Sequence, residues 1–141
     1  MSLIHILLVE DDPDDIDLLK TALEDHDILF QMDTVMQGDA VIPHLNSAER
    51  LPDVIVLDLN LPRLHGKEVL QLLKESGLFY HIPIAILTTS SSIADQNFCL
   101  QMGANVFLTK PTTAEGFRKV TNAIFQATVK IDPPIEENDP G

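Results

Sequence analysis

Short apolar runs alternate with longer amphipathic stretches, five times along the chain. Ile4 to Val9 is the first run, and it stops at Glu10-Asp11-Asp12. The next residues are those of a helix start: Asp12 as N-cap, Pro13 as first helical residue, Asp14 and Asp15 as first-turn acids. Ile16, Leu19, Ala22 and Leu23 supply that helix with an apolar face. Ile28 to Val35 alternates, Phe30 and Met32 against Gln31 and Asp33, as a half-exposed edge strand does. Gly38 to Leu45 is compatible with a short helix, although Pro43 lies inside it. Asp53 to Leu57 is a buried run ending at Asp58, and Val69, Leu70 and Leu73 mark a helix between Gly66 and Ser76-Gly77. Pro83 to Leu87 predicts a fourth strand, followed by a helix from Ser92 to Met102 with Gly103 as terminator. Val106 to Thr109 is the fifth strand, and Phe117, Val120 and Ile124 share one face of a last helix.

Strands apolar throughout and separated by helices indicate a parallel sheet covered on both faces. Right-handed crossovers then favour a doubly wound α/β fold of five strands. Residues 130–141 hold three prolines and four acids, which reads as a flexible tail on a domain of residues 1–129.

Composition narrows the function classes. The 141 residues suit one domain, and a multi-domain enzyme or repeat array is not expected. Nine Lys+Arg against 22 Asp+Glu give a formal net charge of -13, a field that repels nucleic acid and anionic lipid alike. One cysteine, Cys99, excludes an internal disulfide and reads as a small buried hydrophobe. No apolar run approaches a membrane span and no export signal is visible, so a cytoplasmic protein is expected.

The polar residues that matter fall at strand ends: Glu10-Asp11-Asp12, Asp58, Thr88 and Lys110. In an open doubly wound sheet, ligands bind outside the carboxyl ends of the strands. With strand order 2-1-3-4-5, the first and third strands are neighbours, which brings Asp11 and Asp58 together. Converging carboxylates repel unless a cation joins them, and an oxygen-only set suits Mg2+. A threonine and a lysine opposite would hold phosphoryl oxygens, in a site where an aspartate could be nucleophile. Taken singly, Thr88 is a turn residue and Lys110 a surface lysine; Asp14, Asp15 and Asp17 read as a solvated helix start. Joint placement at four strand ends is what favours a site.

Four pieces then occur in order: Leu8-Val9-Glu10-Asp11-Asp12, Asp58-Leu59-Asn60-Leu61-Pro62 with Gly66 beyond, Leu87-Thr88, and Lys110-Pro111. From about Ile4 to Val129 the chain resembles the receiver domain of bacterial two-component response regulators. The resemblance implies the flavodoxin-like receiver fold and carries roles with it. Asp58 would be the phosphoacceptor, and Asp11 a direct Mg2+ ligand with Glu10 assisting through water. Asn60 would add its backbone carbonyl. Thr88 would bond the phosphoryl group and move inward with it, with the rotamer of Phe107 following. Lys110 would pair with phosphoryl oxygens, and the Lys110–Pro111 bond is expected to be cis. Asp12 is left to cap its helix. The chain departs from many relatives in having Phe107 for tyrosine and Thr89 for a small residue. Asn60 and Ser90 flank the pocket, where they would tune hydrolysis.

Such a receiver changes partner affinity and turns over no external substrate. Its implied partners are a sensor histidine kinase and a downstream protein. With no room for an output domain after Val129, a stand-alone regulator is expected. The Leu87 to Ser90 and Asp58 to Pro62 runs resemble regulators associated with bacterial phytochromes. Some relatives dimerise through the last helix and strands four and five, where Phe125 would contribute unless it belongs to the core. His5, His26, His44, His65 and His81 share no metal-like spacing and read as structural or surface residues. Met1-Ser2-Leu3 could include vector residues. The rival readings are a phosphatase of the haloacid dehalogenase type and a receiver-like module that acts without phosphate.

Overall fold

The computed structural model describes residues 3–129; Met1, Ser2 and the 130–141 segment lie outside the described residues. The five strands are β1 (Ile4–Val9), β2 (Phe30–Val35), β3 (Val54–Leu57), β4 (Ile84–Thr88) and β5 (Val106–Thr109). All pair in parallel, in the order β2-β1-β3-β4-β5. Helices follow each strand: α1 (Pro13–Glu24), α2 (Val41–Ser47), α3 (Gly66–Glu75), α4 (Ile93–Met102) and α5 (Ala114–Val129).

Successive strand side chains point to opposite faces, so an unbroken apolar run feeds two cores at once. From β1, Leu7 and Val9 join Ile55, Leu57, Ile84 and Ile86 beneath Val41, Leu45, Leu70, Leu73 and Cys99 of α2, α3 and α4. Ile6 and Leu8 join Val54, Val56, Ala85 and Leu87 beneath Leu19 and Leu23 of α1 and Phe117, Val120 and Ile124 of α5. All four β3 residues are fully buried, each worth about 1.5–3 kcal/mol of transfer free energy. β2 alternates between half-buried and exposed positions, as an edge strand should.

Local chemistry sets the helix ends. Asp12 caps α1, its Oδ1 accepting from the Asp14 N–H at 2.9 Å, with Pro13 at the first position. Ser92 caps α4 through the Asp95 N–H, and Gly103 ends that helix at φ 113°, a conformation that favours glycine. Pro43 breaks nothing. A 3-10 turn, Gly38–Ala40, leads into α2, and Pro43 falls in the first helical turn, where its missing N–H has no intrahelical partner to lose. His65 proves structural: it forms a capping box at the start of α3, Nδ1 accepting from the Lys67 N–H. Phe125 is core, packed edge-on against His26. Cys99 is fully buried, as expected of a small hydrophobe.

Candidate functional site

β1 and β3 run side by side, and their carboxyl ends carry the acids. The Asp58 N–H donates to Val9 O at 3.1 Å, which fixes the end of β3 against the end of β1. Carboxylate oxygens of Glu10, Asp11 and Asp58 all lie within 4.8 Å of one another. Glu10 and Asp58 are buried and Asp11 is exposed, so the cluster opens to solvent on one side. Asp12 lies outside that group; its Oδ1 accepts the Asp14 N–H in the capping role expected of it.

β5 delivers Lys110 into this cluster. Its Nζ is 2.8 Å from Glu10 Oε1 and 3.2 Å from Asp58 Oδ2. A third carboxylate completes the set: Asp15 Oδ2, from the first turn of α1, at 2.8 Å. Burial works against the Lys110 charge, but the hydrogen bonds to Asp15 and Glu10 and the charge of Asp58 outweigh it and hold the ammonium above its ordinary range. Glu10 goes the other way. Burial, supported by the Asp58 charge, pushes its carboxyl up to about 7 despite the lysine.

Three carboxylates meet one ammonium, and two of them, Glu10 and Asp58, also converge with Asp11, so acidic groups outnumber the one cation. Such a set fits a hard divalent cation: the donors are oxygens alone, close enough to share an ion, and one side is open to solvent. Glu10, Asp11 and Asp58 are the residues that could hold it.

At the end of β4, Thr88 is fully buried, and its Oγ1 accepts the Ser90 N–H at 3.4 Å. Ser90 Oγ donates to Asp95 Oδ2 at 2.6 Å, and Asp95 is ion-paired with Lys67 at the start of α3. The hydrogen bonds from Lys67 and Ser90 hold the Asp95 carboxyl below the usual range. Lys67 Nζ also lies 5.4 Å from the centre of the Phe98 ring. Phe107 is partly buried against the core beneath α2, α3 and α4. Across the cleft mouth, Asn60 Nδ2 and Thr89 Oγ1 are 3.5 Å apart.

Gly66 holds the β3–α3 loop down. A Cβ there would sit 2.2 Å from Asp58 O and 2.5 Å from Leu59 Cα, and its own N–H donates to Leu59 O at 2.7 Å. Within that loop, Arg63 adopts φ 75°, the one non-glycine in the left-handed region among the described residues.

The sheet thus gathers Glu10, Asp11, Asp58 and Lys110 in one cluster, with Thr88 ending the adjacent strand. One expectation is corrected. No peptide bond among the described residues is cis, so Lys110–Pro111 is trans. Trans is the ordinary preference even before proline, by about 0.5–1 kcal/mol, and nothing in the pair Lys110-Pro111 itself opposes it. Two features escaped the sequence reading. Asp15 looked like a solvated helix-start acid, and the Ser90–Asp95–Lys67 chain joins residues of separate elements.

The family model for the response regulator receiver domain matches residues 6–122. The chain belongs to the receiver domain family. Response regulator Rcp1 of Synechocystis sp. is 33% identical over 125 residues, covering 84% of this chain and 84% of that protein. A crystal structure of the Mn2+-bound form of Rcp1 superimposes with TM-score 0.78 at 31% identity, covering 86% of this chain and 91% of that one. The phosphorylated cyanobacterial phytochrome response regulator RcpA gives TM-score 0.84 at 28% identity, covering 94% and 98%. The bacteriophytochrome response regulator AtBRR gives 0.73 at 34%, covering 89% and 94%. This receiver also spans about half the length of two transcriptional regulators that it matches. No described helix is long and apolar enough to cross a membrane.

Proposed function

We propose that this receiver takes a phosphoryl group on Asp58 from the phosphohistidine of a sensor histidine kinase, and that the acyl phosphate changes its affinity for a downstream protein. One observation supports this most. A buried aspartate at the end of β3 stands between a carboxylate pair able to share a cation and a lysine 3.2 Å away, beside the buried hydroxyl that ends β4.

In the transfer, a carboxylate oxygen of Asp58 attacks phosphorus in line and the phosphorus–nitrogen bond of the donor breaks. The imidazole leaves with the electron pair. Lys110 faces the oxygens on which charge builds, already oriented by its own hydrogen bonds. Mg2+, held by Glu10, Asp11, Asp58 and the Asn60 carbonyl, would neutralise phosphoryl charge. Thr88 then gives its hydroxyl to the new oxygens, and Phe107 follows it. Hydrolysis of Asp58 phosphate resets the protein, with no external substrate turned over.

RcpA and AtBRR, phytochrome response regulators, support a phytochrome-like kinase as donor; the proposed location is the cytoplasm. The proposed functional unit is residues 1–129. A homodimer through α5 and the β4–β5 edge would have to be built without Phe125, which the core occupies.

Intact mass after incubation with Mg2+ and acetyl phosphate tests the proposal. One phosphoryl adduct is expected on the wild type, absent with chelator and absent in Asp58→Asn. An unmodified, folded wild type would favour a module that works without phosphate.

A further inference from the structure

Asp15 is the acid whose position goes beyond the roles above. Of the acids in the first turns of α1, Asp15 has a hydrogen bond to Lys110, at 2.8 Å, with 22% of its side chain exposed. Asp14, one residue earlier, is exposed. An ammonium has three N–H donors, and Lys110 has three carboxylate partners: Glu10, Asp15 and Asp58. Two of the three, Glu10 and Asp58, belong to the oxygen cluster that can share a cation, and Asp15 does not. Whatever draws Glu10 and Asp58 to a divalent ion leaves Asp15 as the standing partner of the lysine.

We propose that Asp15 is a positioning residue for phosphoryl uptake: it tethers Lys110 at the acceptor while the metal ligands exchange the lysine for the ion. This rests on Asp58 being the acceptor. Without the tether, the ammonium spends more of its time on Glu10 and Asp58, the oxygens the cation needs, and the lysine is no longer oriented when charge develops on the phosphoryl group. Removal should therefore weaken metal binding and slow transfer together. A carboxylate on the solvated side of the same helical turn should do neither, because its field is screened.

The test uses the full chain as wild type, Asp15→Asn, Asp15→Glu and, as an equal change of charge one position away, Asp14→Asn. Mg2+ affinity is read by calorimetry, and the rate of adduct formation from acetyl phosphate is read at saturating Mg2+. Asp15→Asn should weaken Mg2+ binding and slow uptake by about tenfold or more each, as loss of an orienting partner does elsewhere. Asp14→Asn should stay within about twofold of wild type in both. Asp15→Glu, which restores the charge, should recover most of the Mg2+ affinity. Equal effects of Asp15→Asn and Asp14→Asn would reduce Asp15 to background charge and overturn the proposal. So would a lower thermal midpoint with both readouts unchanged, which would make Asp15 structural only. A wild type that binds Mg2+ yet takes no phosphate would instead strike at the role of Asp58, so the two failures are distinguishable.

Discussion

Two corners of the same sheet edge are built on opposite principles. At the ends of β1, β3 and β5, carboxylates crowd one lysine and Glu10 is pushed up to about 7, so the corner is left short of positive charge. At the end of β4, each polar group finds a partner within the protein: Thr88 with Ser90, Ser90 with Asp95, Asp95 with Lys67. In the proposed function the first corner is completed from outside, by a cation and a phosphoryl group. At the second, moving Thr88 would break the bond its Oγ1 accepts from the Ser90 N–H. On that proposal, chemistry sits where charge is unsatisfied and the response where a hydrogen-bonded network can be undone.

The largest break in that contrast comes from the acidic corner. Lys110→Met removes the one cation among buried acids and should cut phosphate uptake by at least about a hundredfold. Breaking a buried pair from one side costs about 3–5 kcal/mol when the remaining charges stay ionised. Here Mg2+ should return much of that stability, because it replaces the missing positive charge. Thermal melts with and without Mg2+ check this, and a variant as unstable with the ion as without it would count against the cation site.

Gly66→Ala tests whether backbone closeness builds the corner. The new methyl would meet backbone atoms of Asp58 and Leu59, so the loop must shift. We expect about 1–3 kcal/mol of lost stability, together with slower uptake, by denaturant melts and adduct kinetics. Full-rate uptake in a destabilised variant would separate the loop from the chemistry.

The titration of Glu10 sharpens the contrast. Its folded value of about 7 lies above the ordinary 4.5, so it favours folding at low pH and that contribution is lost as pH rises through about 7. In chelator, wild type should therefore lose more stability than Glu10→Gln between about pH 5 and pH 7.5, and Mg2+ should shrink the difference. Identical pH profiles for the two proteins would refute it.

The smallest effect is at the satisfied corner. Lys67→Met keeps the aliphatic stem and removes the ion pair, for about 0.2–1 kcal/mol at a partly exposed site. Hydrogen exchange should nonetheless rise at the start of α4, with phosphate uptake unchanged.

Much of this was legible in the chain, for identifiable reasons. Apolar strand runs fix a two-faced sheet whatever their neighbours, and Asp12-Pro13, Ser92 and Gly103 carry their helix-end signals locally. The strand-end positions of Glu10, Asp11, Asp58, Thr88 and Lys110 follow once the strand order is known. Asp15 was not legible, because an acid in a first helical turn has a sufficient local explanation, and its partner lies 95 positions away. The Ser90–Asp95–Lys67 chain was hidden for a similar reason: it depends on how α3 and α4 pack. Pairings set by tertiary packing leave little trace in local pattern.

Hydrogen–deuterium exchange of the phosphorylated chain against the unphosphorylated one would test the two-corner contrast most directly. Slower exchange is expected at residues 10–15 and 58–60, where the missing charge has been supplied. Faster exchange is expected at residues 90–97, where Thr88 has left Ser90. Slower exchange at both corners, or no change beyond β4, would contradict it.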